Sequence, residues 1–209
     1  MIYIYFYVEV FMNTRNVTGL TLIIAPVVVI LSWIIWSMLD PDGPSASGIR
    51  ANADILQPLC LVVLVALSLW SIGLFNLSRT MLDGDGGDYA NIGGLMILAA
   101  LPVIIAEIGL YFASGSIADV VLSDNFYTGG QAVGMAGTLI QFVGFGIVGI
   151  AILLQKNFNQ IIAWLFILVG IVGAVICIIA YDSQLLGIAY VGYVIATVLV
   201  GINRFRAKA

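Results

Sequence analysis

Eleven acidic residues occur in the chain, and ten of them fall outside its six long apolar runs. The exception is Glu107, five residues past Pro102 in Asn91–Ala113. A carboxyl group at that depth in a hydrocarbon layer costs a few kcal/mol or more. It must therefore face a helix bundle or a water-filled cavity, or carry its proton. Two kinds of chemistry suit such a group. It can accept a proton or contact a cation in a transport path, or it can act as a neutral acid hydrogen-bonded to a neighbouring helix and hold that helix in register. Gly93, Ile97, Ala100, Ile104, Glu107, Tyr111 and Ser114 follow alternating four-three spacing, the pattern of one packed seam.

The fourth run carries the same spacing in Gly130, Gly134, Gly137, Gln141, Gly144, Val148 and Ala151, nearly free of side chains apart from one amide. Small residues so spaced let two helix backbones approach closely. An amide both donates and accepts, so Glu107–Gln141 and Glu107–Thr138 are the expected pairs. Tyr111, one turn beyond Glu107, joins this candidate intramembrane polar site. The groove can serve contact within one chain or between chains, as a homo- or hetero-oligomer. Tyr111, Tyr190 and Tyr193, with Trp33, Trp36, Trp70 and Trp164, are expected as interfacial belt anchors. Cys60 and Cys177 lie at similar depth and are expected as free buried thiols.

Other chemistry is poorly provided for. The chain has no histidine, which removes imidazole-ligated haem, zinc or copper and any Ser-His dyad. Lys156 and Lys208 are interfacial, so no Schiff base forms inside the bundle. Asp83-Gly-Asp-Gly-Gly-Asp88 lacks the ligand spacing of a calcium loop and reads as a solvated turn. No metal, cofactor or catalytic set is expected. A net charge of −4 argues against nucleic acid as a partner.

The elements that must position these residues follow from composition. With 62% hydrophobic and 9% charged residues in 209, the chain departs far from a soluble domain. A membrane span needs about 20 apolar residues. Six runs qualify, near 17–39, 55–78, 91–113, 130–154, 160–181 and 185–202, separated by polar or glycine-rich breaks. The expected fold is an all-α, polytopic membrane bundle of six helices, one domain in the lipid bilayer. Residues 1–16 form a lead and 203–209 a basic tail. Met1–Phe11 is too short to span, and Met12-Asn-Thr-Arg-Asn reads as a conventional start, so the upstream stretch is either a lead or an over-extended gene start. Ser114–Gly129 is expected as an interfacial break. With six spans, Arg15, Arg79, Lys156, Arg204, Arg206 and Lys208 share one side and only Arg50 lies opposite, beside Asp40, Asp42, Asp54, Asp119, Asp124 and Asp182. The positive-inside rule then makes both termini cytoplasmic, in a plasma membrane.

A short lead, a long first loop running into Ile49-Arg-Ala-Asn-Ala-Asp-Ile-Leu56, Glu107 in the third span and a glycine-rich fourth span ending at Lys156 complete the layout. It resembles that of a group of uncharacterised six-span prokaryotic integral membrane proteins, classed as domains of unknown function. The resemblance covers most of the chain and implies an integral membrane protein, with no site residues to carry over. The expected role is a non-enzymatic structural or accessory membrane component. The alternative is a secondary transporter or channel-like module for a small solute or protons, using Glu107.

Overall fold

A computed structural model describes residues 14–41 and 44–206. The lead up to residue 13, Asp42 and Lys208 lie outside these described residues. The helices are α1 (Thr14–Leu39), α2 (Ala46–Ala51), α3 (Ala53–Arg79), α4 (Gly87–Ser116), α5 (Val120–Gln155), α6 (Gln160–Ile179) and α7 (Gln184–Arg206). All except the short α2 are long and apolar enough to cross a membrane. The protein is therefore a multi-pass, all-α membrane bundle. Pro26, Pro58 and Pro102 all lie inside helices that continue through them.

Five of the six apolar runs lie within these helices and the run 160–181 passes the end of α6 by two residues, while α5 starts ten residues before its run. Asp119 caps its N-terminus, its carboxylate accepting from the Leu122 N–H at 2.8 Å. Most of the expected break between the third and fourth spans is thus helical, because a polar face is tolerated where a helix projects beyond the apolar layer. At its other end α5 stops at Lys156, whose left-handed φ of 54° forms the C-cap.

Consecutive long helices pack on one another, and α1 packs on α7, so the six close into a ring. Glycine pairs draw the walls together. A Cβ on Gly93 would lie 2.7 Å from the Gly144 carbonyl oxygen, and one on Gly201 would lie 2.8 Å from that of Gly19. The first pair joins α4 to α5, and the second closes the ring between α1 and α7. The α5 glycine face is thus covered by α4 of the same chain.

Among the described residues, one end of the ring carries Arg15, Arg79, Lys156, Arg204 and Arg206 together with the Asp83–Asp88 turn. The other carries Asp40, Asp54, Asp119, Asp124 and Asp182 with Arg50 alone. They are called the basic and acidic ends below. Side-chain contacts between elements tie down each. At the basic end Arg204 donates to Thr80 at 2.7 Å and Gln155 donates to the Met81 carbonyl. At the acidic end Arg50 pairs with Asp124 at 2.8 Å and donates to Ser123 at 2.5 Å, while Gln57 donates to Ser116 at 2.6 Å.

Aromatic side chains fill the middle of the ring. Phe145 stacks on Phe166 at 4.0 Å and meets Tyr193 edge-on at 3.9 Å, and Trp70 lies 4.4 Å from Tyr193. The Trp70 indole N–H donates to Thr197 at 3.2 Å. These placements correct the expectation of an aromatic belt. Trp70 and Tyr193 are fully buried, and Trp33, Trp36, Tyr111 and Tyr190 pack on the core. Only Trp164, 52% exposed, stands on the outer surface as expected. Depth along a span does not specify the face, and a closed ring of six helices has an interior that large side chains must fill.

Candidate functional site around Glu107

Both seams are buried as their spacing requires, with Tyr111 alone partly open. Helices α4 and α5 run antiparallel in one register. Gly93 lies against Val148, Ile97 against Gly144, Ile104 against Gly137, Glu107 against Gly134 and Tyr111 against Gly130. Gly134 matters most, since a Cβ there would overlap the Glu107 carboxyl group. The missing side chain is the space in which that carboxyl sits.

Two phenols hold the carboxyl group. Tyr111, one turn along α4, donates to Oε1 at 2.7 Å, and Tyr181 donates to the same oxygen at 2.7 Å. Tyr181 comes from the turn joining α6 to α7, where Ala180 N–H bonds the Ile176 carbonyl and Ser183 N–H bonds that of Ala180. Burial, reinforced by the nearby Glu107 carboxylate, pushes the Tyr181 hydroxyl well above the usual phenol range, so it stays a donor. Glu107 is 7% exposed, nine residues before the end of α4 and so about 14 Å along the helix.

The expected pairs with Gln141 and Thr138 are replaced by these two phenols. The register sets Gly134 opposite Glu107 and carries Gln141 seven residues further along α5, roughly 10 Å toward the basic end. Gln141 is buried, and its Oε1 has no hydrogen-bond partner among the described residues. Thr138 reaches Glu107 only through Tyr181. Its hydroxyl lies 3.4 Å from those of both Tyr181 and Tyr190. Helical spacing does not mark Tyr181 as a partner of Glu107. Its position at the acidic end of the fifth run, level with Glu107, is the signal that was available.

A cavity of about 390 Å³ reaches this carboxyl group. Its wall is drawn from α1, α3, α4, α5 and α7 and from the turn carrying Tyr181. Pro41, Pro44 and Asp182, all exposed, also line it, so its mouth is at the acidic end. Toward the basic end, the packed rings of Trp70, Phe142, Phe145 and Tyr193 fill the interior. The site is a blind cup, polar at its mouth and walled by aromatic and aliphatic side chains below.

Cys60 lines the cup, and both cysteines are free and buried. Among the described residues no cluster of His, Cys, Asp or Glu could hold a metal ion. Asp83 and Asp85 lie exposed in their turn, near which Gly86 sits against the Ala151 backbone. No family model matches the sequence, and neither a curated protein nor a solved structure matches it.

Proposed function

We propose that this multi-pass protein is a non-enzymatic solute-binding module. It admits a small solute from the acidic end to Glu107, as the binding half of a secondary-transport or channel-like cycle. The single observation carrying this reading is the cup of about 390 Å³ that joins exposed loop residues to a buried carboxyl group. An intramembrane carboxyl facing a cavity is a functional candidate by default. The cup also falls within the roughly 300–1,000 Å³ typical of small-molecule sites. Five basic residues at one end against Arg50 at the other support an orientation with the cup's mouth on the exterior of a plasma membrane and both termini cytoplasmic.

A second reading, a structural or accessory component, draws on Gly134. There the glycine face of α5 accepts the Glu107 carboxyl as a packing element. Glu107→Gln in proteoliposomes separates the two. Solute binding and transport predict that proton-linked flux across the vesicle is lost while thermal stability holds. Unchanged flux with a lowered melting temperature would support the packing role and defeat the transport one.

A further inference from the structure

We infer that the cup takes a small organic cation, a quaternary or protonated alkylammonium, with Glu107 as counter-ion and aromatic rings as its cage. This rests on the cup being a solute site and adds the chemical class of the solute.

Three features of the lining point the same way. The first is charge. Among the described residues, Asp40, Glu107 and Asp182 are its charged side chains, and no lysine or arginine lines it. Arg50, the one described basic residue at this end, is engaged by Asp124 and Ser123. A cleft of one sign between low-dielectric walls concentrates ions of the other sign.

The second is the carboxyl group itself. Tyr111 and Tyr181 both donate to Oε1, and Oε2 has no hydrogen-bond donor among the described residues. Phenol hydroxyls serve an ionised Glu107 as donors but do not neutralise it, so a monovalent cation is the complement of that form. An anion would meet Glu107 and both aspartates with no positive partner. A neutral solute would offer the group no counter-ion and leave it to keep its proton.

The third is the wall. Trp33, Trp36, Tyr111, Tyr127, Tyr181 and Tyr190 contribute six rings to one cavity, and five of them form two contacting groups. Trp33 lies 5.8 Å from Tyr190, Trp36 lies 6.1 Å from Tyr111, and Tyr111 stacks on Tyr127 at 5.2 Å. Ring faces attract cations whose charge is spread over alkyl groups, and the attraction grows when water is excluded. A small metal ion needs several ligands gathered at one point, and no group of three His, Cys, Asp or Glu among the described residues supplies them. An alkylammonium satisfies carboxyl, rings and aliphatic wall together.

The test is equilibrium dialysis of the purified full chain in detergent against radiolabelled choline, with competition by dimethylbutanol, its uncharged carbon isostere. The expected result is saturable choline binding that the isostere competes for at least tenfold more weakly than unlabelled choline. Glu107→Gln should weaken binding at least tenfold, and Tyr181→Phe, which keeps the ring, should weaken it less. Size-exclusion elution at the wild-type volume shows that each variant is folded. Equal competition by the isostere overturns the cation assignment and leaves a solute site of another class. No choline binding by the wild type also overturns it, and the reading of the cup as a solute site is then judged by its own flux assay. Binding unaffected by Glu107→Gln removes the carboxyl as counter-ion.

Discussion

Gly134→Ala is the sharpest perturbation that the geometry offers. The new Cβ would overlap the Glu107 carboxyl group, so the carboxyl has to leave its place. A free glutamate would swing aside at little cost, but this one is tied by two hydrogen bonds of 2.7 Å. Each is worth about 1 kcal/mol if the acid is neutral and about 1.5–3 kcal/mol if it is ionised, so losing both costs roughly 2–6 kcal/mol. Alanine returns about 0.5–1 kcal/mol of helix propensity. Gly129→Ala, on the same helix with nothing within 4 Å of its Cβ, is the control and gains only that propensity. Gly134→Ala should therefore be less stable than Gly129→Ala by about 2 kcal/mol or more, read as denaturation midpoints in detergent. Adding Glu107→Ala removes the object of the clash. The double variant should then recover at least about 1 kcal/mol of the sum of the single losses. Equal stabilities of Gly134→Ala and Gly129→Ala, or strict additivity with Glu107→Ala, would refute the packing of Glu107 on Gly134.

Three further outcomes follow from the ring. A Cβ at Gly170 would lie 2.5 Å from the Gly146 Cα, backbone against backbone, so Gly170→Ala should force α5 and α6 apart and cost about 1–3 kcal/mol in the same assay. Thr197→Val leaves the buried Trp70 N–H without its acceptor and should cost about 1–3 kcal/mol, with a changed Trp emission maximum. Arg50→Ala should cost no more than about 1 kcal/mol from its ion pair, because Asp124 is half exposed, and the loss should shrink in melts at high salt.

Much of this arrangement is legible in the sequence because periodicity is local. The seam Gly93–Ser114 and the groove Gly130–Ala151 are written in four-three spacing, and both are buried. The early start of α5 behind its Asp119 cap is not read this way, since residues 114–129 present as a polar break. What stays hidden depends on contacts between distant segments. The register that sets Glu107 on Gly134 rather than beside Gln141 depends on how two helices slide, and spacing within each helix leaves that free. Ring closure through Gly19 and Gly201 joins the first and last long helices, and Tyr181 reaches Glu107 from another turn across the ring. The inward face of Trp70 and Tyr193 follows from that closure, since depth along a span is the same for a ring turned in or out.

The central claim is that Glu107, deep in the bundle, is reached by water from the acidic end. Membrane-impermeant, water-soluble carbodiimide with an amine nucleophile, applied to sealed vesicles of either orientation, measures this directly when peptide mass spectrometry reads modification at Glu107. The account predicts labelling when the acidic end faces the reagent and none when the basic end does, since the packed aromatic rings close that side. A Glu107 unmodified from both sides, with exposed Asp182 labelled in the same sample, would contradict it.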